Sequence, residues 1–199
     1  MEKMAMEKIM EEILELTKEK LVNSFNQKGE NTTTRLMFPP ERQKEDRPRV
    51  SEQELRFAFV EAFNEICERK KLPWRYAVEV PTNDTYCFKG EPCVSKNGQS
   101  AMFDMVIFDE ENNRRILIEF KGNNPQTKLY EKDFVKLTNP AEYPEDNQCL
   151  SYFIQLLRSS DNKTLKSLNK KCSTQRNRIH FKFLNLSESK YLDLNEIFK

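Results

Sequence analysis

Two short apolar runs with charge set inside them constrain this chain more than any other feature. They are Phe103-Asp104-Met105-Val106-Ile107-Phe108 and Ile116-Leu117-Ile118-Glu119-Phe120-Lys121. Apolar runs of this length, rich in Ile, Val and Phe and bounded by turn residues, read as strands. A carboxylate or an ammonium in such a strand is costly to bury unless it is paired or bound to a metal. Between the runs, Glu110-Glu111-Asn112-Asn113 reads as a turn, so the two strands form a hairpin.

Strand geometry then relates the charges. Side chains alternate between faces, so Glu119 and Lys121 share one face and Ile118 and Phe120 the other. With an even loop over 110–113, Asp109 pairs with Arg114, and counting back along the hairpin sets Asp104 opposite Glu119. All three charges then project from one face. An odd loop would split them unless a bulge restored the register.

Two carboxylates so close resist joint ionisation, and a hard divalent cation resolves the conflict. Magnesium favours oxygen ligands and suits one or two carboxylates completed by water and substrate phosphate. Such a metal polarises a phosphoryl oxygen and lowers the pKa of bound water. Lys121, two residues from Glu119, would orient that water and offset charge developing in the transition state. The ordinary alternative is a cross-strand ion pair of Lys121 with Asp104 or Glu119. The register and the apolar surroundings favour a site.

The other elements fall in a readable order. Residues 1 to 27 predict a helix with an imperfect apolar face: Met4, Ile9, Ile13, Leu14, Leu16 and Leu21. Residues 28–50, punctuated by Gly29, Pro39, Pro40 and Pro48, read as a linker, so 1–50 is an N-terminal helix and linker arm ahead of a domain over 51–199. Ser51-Glu52-Gln53-Glu54 fits a capping box that opens a helix with an apolar stripe from Leu55 to Ile66, ending near Lys70. Then come a strand over 74–80, a long polar loop over 81–99, strands over 101–108 and 114–121, and a helix over 128–138. Next come residues 149–157, which fit a strand or a helix and favour the strand on length and aromatic content, a helix over 161–172 and a strand over 179–186. This order predicts an α/β fold with a central mixed sheet flanked by helices.

Composition excludes some classes. The chain has 199 residues and a net charge of +1, far from the strong basicity of a general nucleic-acid binder. No apolar run reaches the length of a membrane span, and Glu2, Glu7, Glu11 and Glu12 break up any signal-peptide core. Five cysteines, an odd number at irregular spacing, read as free thiols in a reducing cytoplasm, and Cys87 with Cys93 lacks the spacing of a zinc pair.

Asp104 followed across a hairpin by Glu119-Phe120-Lys121 resembles the PD-(D/E)XK, or restriction-endonuclease-like, nuclease superfamily. That family's core is a helix, a three-strand meander, a helix and a further strand, the order of residues 51–157. The resemblance implies a magnesium- or manganese-dependent endonuclease that hydrolyses phosphodiesters of nucleic acid, DNA foremost. Asp104 and Glu119 would be metal ligands and Lys121 the catalytic lysine. Phe103, where the family often has proline, is a departure.

Many members add a glutamate from the first helix. Glu52 lies roughly 50° and Glu54 roughly 110° from the centre of the apolar stripe, so Glu52 is the candidate and Glu54 the capping residue. Lys128, Lys132 and Lys136 recur at four-residue spacing, as on a solvated face or, in a fold of this kind, a face that meets a DNA backbone. A homodimer would supply two sites for cutting two strands, with the N-terminal helix as an interface. The competing readings are a catalytically silent nuclease-like domain that binds nucleic acid or a protein, and an unrelated α/β protein with a structural ion pair.

Overall fold

A computed structural model describes residues 3–26, 34–42, 44–123, 125–143 and 148–198, with backbone alone at 44–47 and 196. The elements run α1 (Lys3–Phe25), β1 (Pro40–Glu41), β2 (Lys44–Pro48), α2 (Glu52–Lys70), β3 (Arg75–Cys87), β4 (Cys93–Val94), β5 (Gln99–Phe108) and β6 (Arg114–Gly122). They continue with α3 (Thr127–Leu137), β7 (Leu150–Leu157), α4 (Asn162–Cys172), β8 (His180–Asn185), β9 (Lys190–Tyr191) and α5 (Leu194–Ile197). Seven strands form one mixed sheet in the order β4-β3-β5-β6-β7-β8-β9. The meander β3-β5-β6 is antiparallel, and β6, β7 and β8 run parallel.

Both faces of the sheet are covered, which explains why its central strands are apolar throughout. All eight residues of β7 are buried. A parallel strand with helices above and below has no polar face to show. On one face Met105, Ile107, Ile118, Phe120 and Ile154 pack with Leu55, Phe59 and Phe63 of α2. On the other, Val106, Leu117, Phe153 and Phe181 pack with Tyr130 and Phe134 of α3 and Leu168 of α4. The α/β class with a central mixed sheet flanked by helices is the architecture observed.

Of the segment expected as an arm, α1 lies along α2 and sets Met6, Met10, Ile13, Leu14 and Leu21 in the same apolar cluster. The linker's residues 34–42 and 44–50 include the β1–β2 hairpin; its 28–33 and 43, and residues 1, 2 and 27 of the expected helix, lie outside the described residues. The polar loop expected over 81–99 is largely strand. β3 runs on to Cys87, because after an irregularity between Pro81 and Thr85 it pairs again with β5 through Thr85–Ser100 and Tyr86–Gln99. The two-residue β9 and four-residue α5 are too short for a periodic signal. Among the described residues no helix is long and apolar enough to cross a membrane.

The β5–β6 hairpin differs from the even-loop expectation in an instructive way. Its loop has five residues, 109–113, and Phe108, not Asp109, pairs with Arg114. Asp109 turns inward to cap the loop, accepting from Asn113 N at 2.8 Å and Arg115 Nε at 2.7 Å. A bulge then sets Arg114 and Arg115 against Phe108, and the ladder resumes at Ile107–Ile116. The odd loop and the bulge cancel, so Met105 faces Ile118 as the even loop required.

The start of α2 is fixed to the end of β6. The Ser51 N–H donates to Glu54 Oε2 at 2.8 Å, and the Ser51 hydroxyl donates to the same oxygen. Asn123, at a positive φ of 59°, donates from its side chain to Val50 O at 2.9 Å and from its backbone to Leu156 O at 2.7 Å. A Cβ on Gly122 would stand 2.6 Å from Glu52 N and 2.9 Å from Ser51 C, both backbone atoms. Gly122→Ala should therefore push the first turn of α2 off β6. Its expected cost is roughly 1–3 kcal/mol, the usual range for overpacking. Urea unfolding checks this, and a midpoint within error of wild type would refute the close approach.

Candidate active site

The charged residues of the two apolar runs meet beside this junction. The β5–β6 ladder is last paired at Met105–Ile118; one step further, Asp104 comes opposite Glu119. There the Asp104 side chain takes the place of a ladder partner: the Phe120 N–H donates to its Oδ2 at 2.7 Å. Arg56 Nη2 of α2 donates to its Oδ1 at 3.0 Å. Asp104 thus reaches toward α2, while Glu119 and Lys121, as alternation requires, both meet α3. The expectation that all three charges leave one face is corrected to this extent.

Glu119 is 1% exposed, and Lys136 Nζ donates to its Oε1 at 2.5 Å. Lys136 also donates to Met102 O at 2.8 Å and stands 3.3 Å from Asp133. Lys121 Nζ lies 2.8 Å from Asp133 Oδ2 and donates to Phe120 O at 2.9 Å. Glu119, Lys136, Asp133 and Lys121 therefore form a chain of alternating charge. Lys136 is buried in it and does not lie on the solvated face expected for the lysine row. Helical geometry gives the reason. Each four-residue step turns about 40° around the axis, so Lys136 has swung about 80° from exposed Lys128 toward the shoulder that carries Asp133.

Glu52, the choice over Glu54, lies at the edge of this cluster, and its carboxylate is 3.4 Å from Arg56. Burial, and then the Asp104 carboxylate, raise its pKa above the usual range. Glu54 is occupied by Ser51, as expected of a capping residue. Burial, and then Asp133, push Glu119 well above the carboxylate range against the pull of Lys136. Burial works against the charged form of Lys121, but Asp133 and Glu119 outweigh it and hold the ammonium protonated.

Residues not assigned to the site from the sequence complete the set. Asp133 and Lys136 come from α3, Arg56 from α2, and Glu79 from β3, where it lies opposite Asp104 and pairs with Arg56 at 3.2 Å. A charged residue flanking an apolar helical stripe was the one available signal for Arg56, Asp133 and Lys136, and most solvated helix faces share it. Glu79 carried no signal, because its positive φ of 51° is set by the tertiary fold.

The cluster holds Glu52, Glu79, Asp104, Glu119 and Asp133 against Arg56, Lys121 and Lys136. With every group ionised the excess is two negative charges, one of them on exposed Glu79. That surplus, with carboxylates raised in pKa by burial and then by one another, is the chemistry that a hard divalent cation neutralises. Among the described residues no three Asp, Glu, His or Cys groups converge as a ready cage. A cation held by Asp104 and Glu119 would therefore rely on water and substrate oxygen for its other ligands, as magnesium commonly does.

Glu119 also carries a pH prediction for the metal-free protein. Its folded pKa lies above the ordinary 4.5, so folding favours its protonated form and is penalised as pH rises from 4.5 through the folded value. Glu119→Gln removes that penalty. Relative to wild type, the variant's melting temperature in EDTA should rise as pH increases from about 4.5. A difference that instead falls with rising pH would reverse the assignment.

No protein-family model matches this sequence, and no curated protein matches it.

Proposed function

We propose that this chain is a divalent-metal-dependent phosphodiesterase acting on nucleic acid, DNA foremost, on a core of the restriction-endonuclease-like kind. The observation that carries this reading is that Asp104, from the α2 side, and Glu119 and Lys121, from the α3 side, come within electrostatic reach of one another where β5 and β6 part. The antiparallel meander β3-β5-β6, with α2 before it and α3 and parallel β7 after it, is the order the resemblance implies.

Asp104 and Glu119 would hold magnesium or manganese, which supplies a polarised phosphoryl oxygen and an activated water when bound. Lys121 would present its ammonium to the charge that grows on the phosphate, and Asp133 fixes that ammonium in place at 2.8 Å. Glu52 would add a third carboxylate at the rim of the site. Exposed Lys128 and half-buried Lys132, on the outer side of α3, offer contacts to the phosphate backbone.

One observation favours a second reading, a catalytically silent nuclease-like domain. Asp104 and Glu119 already have protein cations, Arg56 and Lys136, against them. A cleavage assay separates the two. Linear, supercoiled, single-stranded and branched DNA, and RNA, are incubated with the protein in magnesium or manganese, with EDTA and Asp104→Ala as controls. Cutting that needs metal and disappears in the variant supports the nuclease. No cutting of any substrate, with no calorimetric metal binding, supports the silent domain.

A further inference from the structure

Arg56 is the hub of the acid cluster. Its guanidinium reaches carboxylates on three elements: Asp104 of β5 at 3.0 Å, Glu79 of β3 at 3.2 Å and Glu52 of α2 at 3.4 Å. Of these, Asp104 alone belongs to the pair that would hold metal. Its Oδ2 is engaged by the Phe120 amide, so a cation approaching Oδ1 meets Arg56 first.

Two features make Arg56 movable. Its side chain is 15% exposed, so losing every partner would be costly, but it would not have to. Glu79, its second acceptor, is 56% exposed, lies opposite Asp104 on the neighbouring strand, and has its backbone in the left-handed region, which glutamate adopts only at a cost. Glu52 is the third acceptor. Arg56 Nε is buried with no acceptor among the described residues, so the present arrangement leaves part of the guanidinium unused. Lys136 differs: Glu119, Asp133 and Met102 O fix it from the α3 side.

We infer that Arg56 is a displaceable counter-cation, a positioning residue that holds Asp104 when no divalent metal is bound and passes to Glu79 and Glu52 when metal takes Asp104. The inference rests on the metal-site reading above. It makes metal affinity the outcome of a competition inside the chain, with Glu79 as the alternative seat.

The test is a manganese titration of the full chain by calorimetry, with thermal melts in EDTA and in manganese. Arg56→Met should bind manganese at least about fivefold more tightly, since a like charge leaves the ligand's side. It should melt lower than wild type in EDTA and regain more than wild type does on adding manganese. Glu79→Gln should bind roughly threefold more weakly, because the guanidinium has lost a seat, while its EDTA melt stays near wild type. Arg56→Lys, which keeps the charge but loses the fork, should fall between wild type and Arg56→Met. If Arg56→Met does not fold, the Glu79→Gln and Arg56→Lys affinities decide. Wild type that binds manganese, with Arg56→Lys and Glu79→Gln indistinguishable from it, overturns the inference and leaves the metal site standing. Wild type that binds no manganese overturns both.

Discussion

Glu142→Ala is expected to destabilise the fold by about 3–5 kcal/mol, the range for removing one partner of a buried charged network. Glu142 is wholly buried in the short helical turn after α3. Its carboxylate accepts from Asn83 N at 2.7 Å, Asp84 N at 3.0 Å, Tyr86 Oη at 2.7 Å and Arg114 Nη1 at 2.9 Å. Those donors lie in the irregular stretch of β3 and at the head of β6. The carboxylate therefore supplies the partners that the broken β3–β5 ladder does not. Alanine would leave the two backbone amides without an acceptor and Arg114 with Pro81 O alone among the acceptors described. Equilibrium urea unfolding measures the loss, with exposed Glu91→Ala as a control expected near zero. A loss below about 1 kcal/mol would mean that the network is not coupled to global unfolding.

Lys121→Met should have the largest effect on chemistry. Under the proposed function it removes an ammonium that faces charge developing in the transition state, a change that usually costs about 10²–10³ in turnover. Manganese affinity should hold or tighten, because the cluster loses a positive charge. That split between turnover and binding is the informative result. Loss of binding in parallel with turnover would make Lys121 a prop for the carboxylates instead. The melt needs checking too, since Asp133 would keep only Lys136 as an ion-pair partner among the described residues.

Much of the scaffold was legible in the sequence, for physical reasons that can be named. β5 and β6 announce themselves because strands covered on both faces must be apolar, and a charge inside one stands out. Alternation alone then placed Glu119 and Lys121 together. The capping pair Ser51 and Glu54 announced α2 to the residue. What was not legible depends on contacts between elements. The parity of the hairpin was right in outcome only because Asp109 turned inward and a bulge at Arg114 and Arg115 compensated, and neither event has a local signature. Arg56, Asp133 and Lys136 look like surface charges until α2 and α3 are laid against the ends of β5 and β6. Glu142 reads as an ordinary loop acid until β3 is seen to break its ladder beside it.

The β3–β4 hairpin has a consequence of a different kind. Cys87 and Cys93 are register partners across it, half-buried and exposed respectively, and both are free thiols. Ser95 N–H donates to Thr85 O two residues along, so the cysteines occupy the hydrogen-bonded phase of the ladder. Cα atoms in that phase stand about 5.5 Å apart, within the span of a disulfide, while the Cβ atoms must close to about 4 Å, so the bond forms only as the hairpin twists. Mild peroxide would then take one hydrogen from each thiol, become water, and join the two sulfurs around the loop that carries Phe88 and Lys89. The chain would lose the mass of two hydrogens without dimerising, and Cys93→Ser would block the change. Cys67, Cys149 and Cys172 are buried and would be spared. The oxidation state of a preparation would thus be written in one hairpin, beside the α3 lysine, Lys132, that rests over the Phe88 ring.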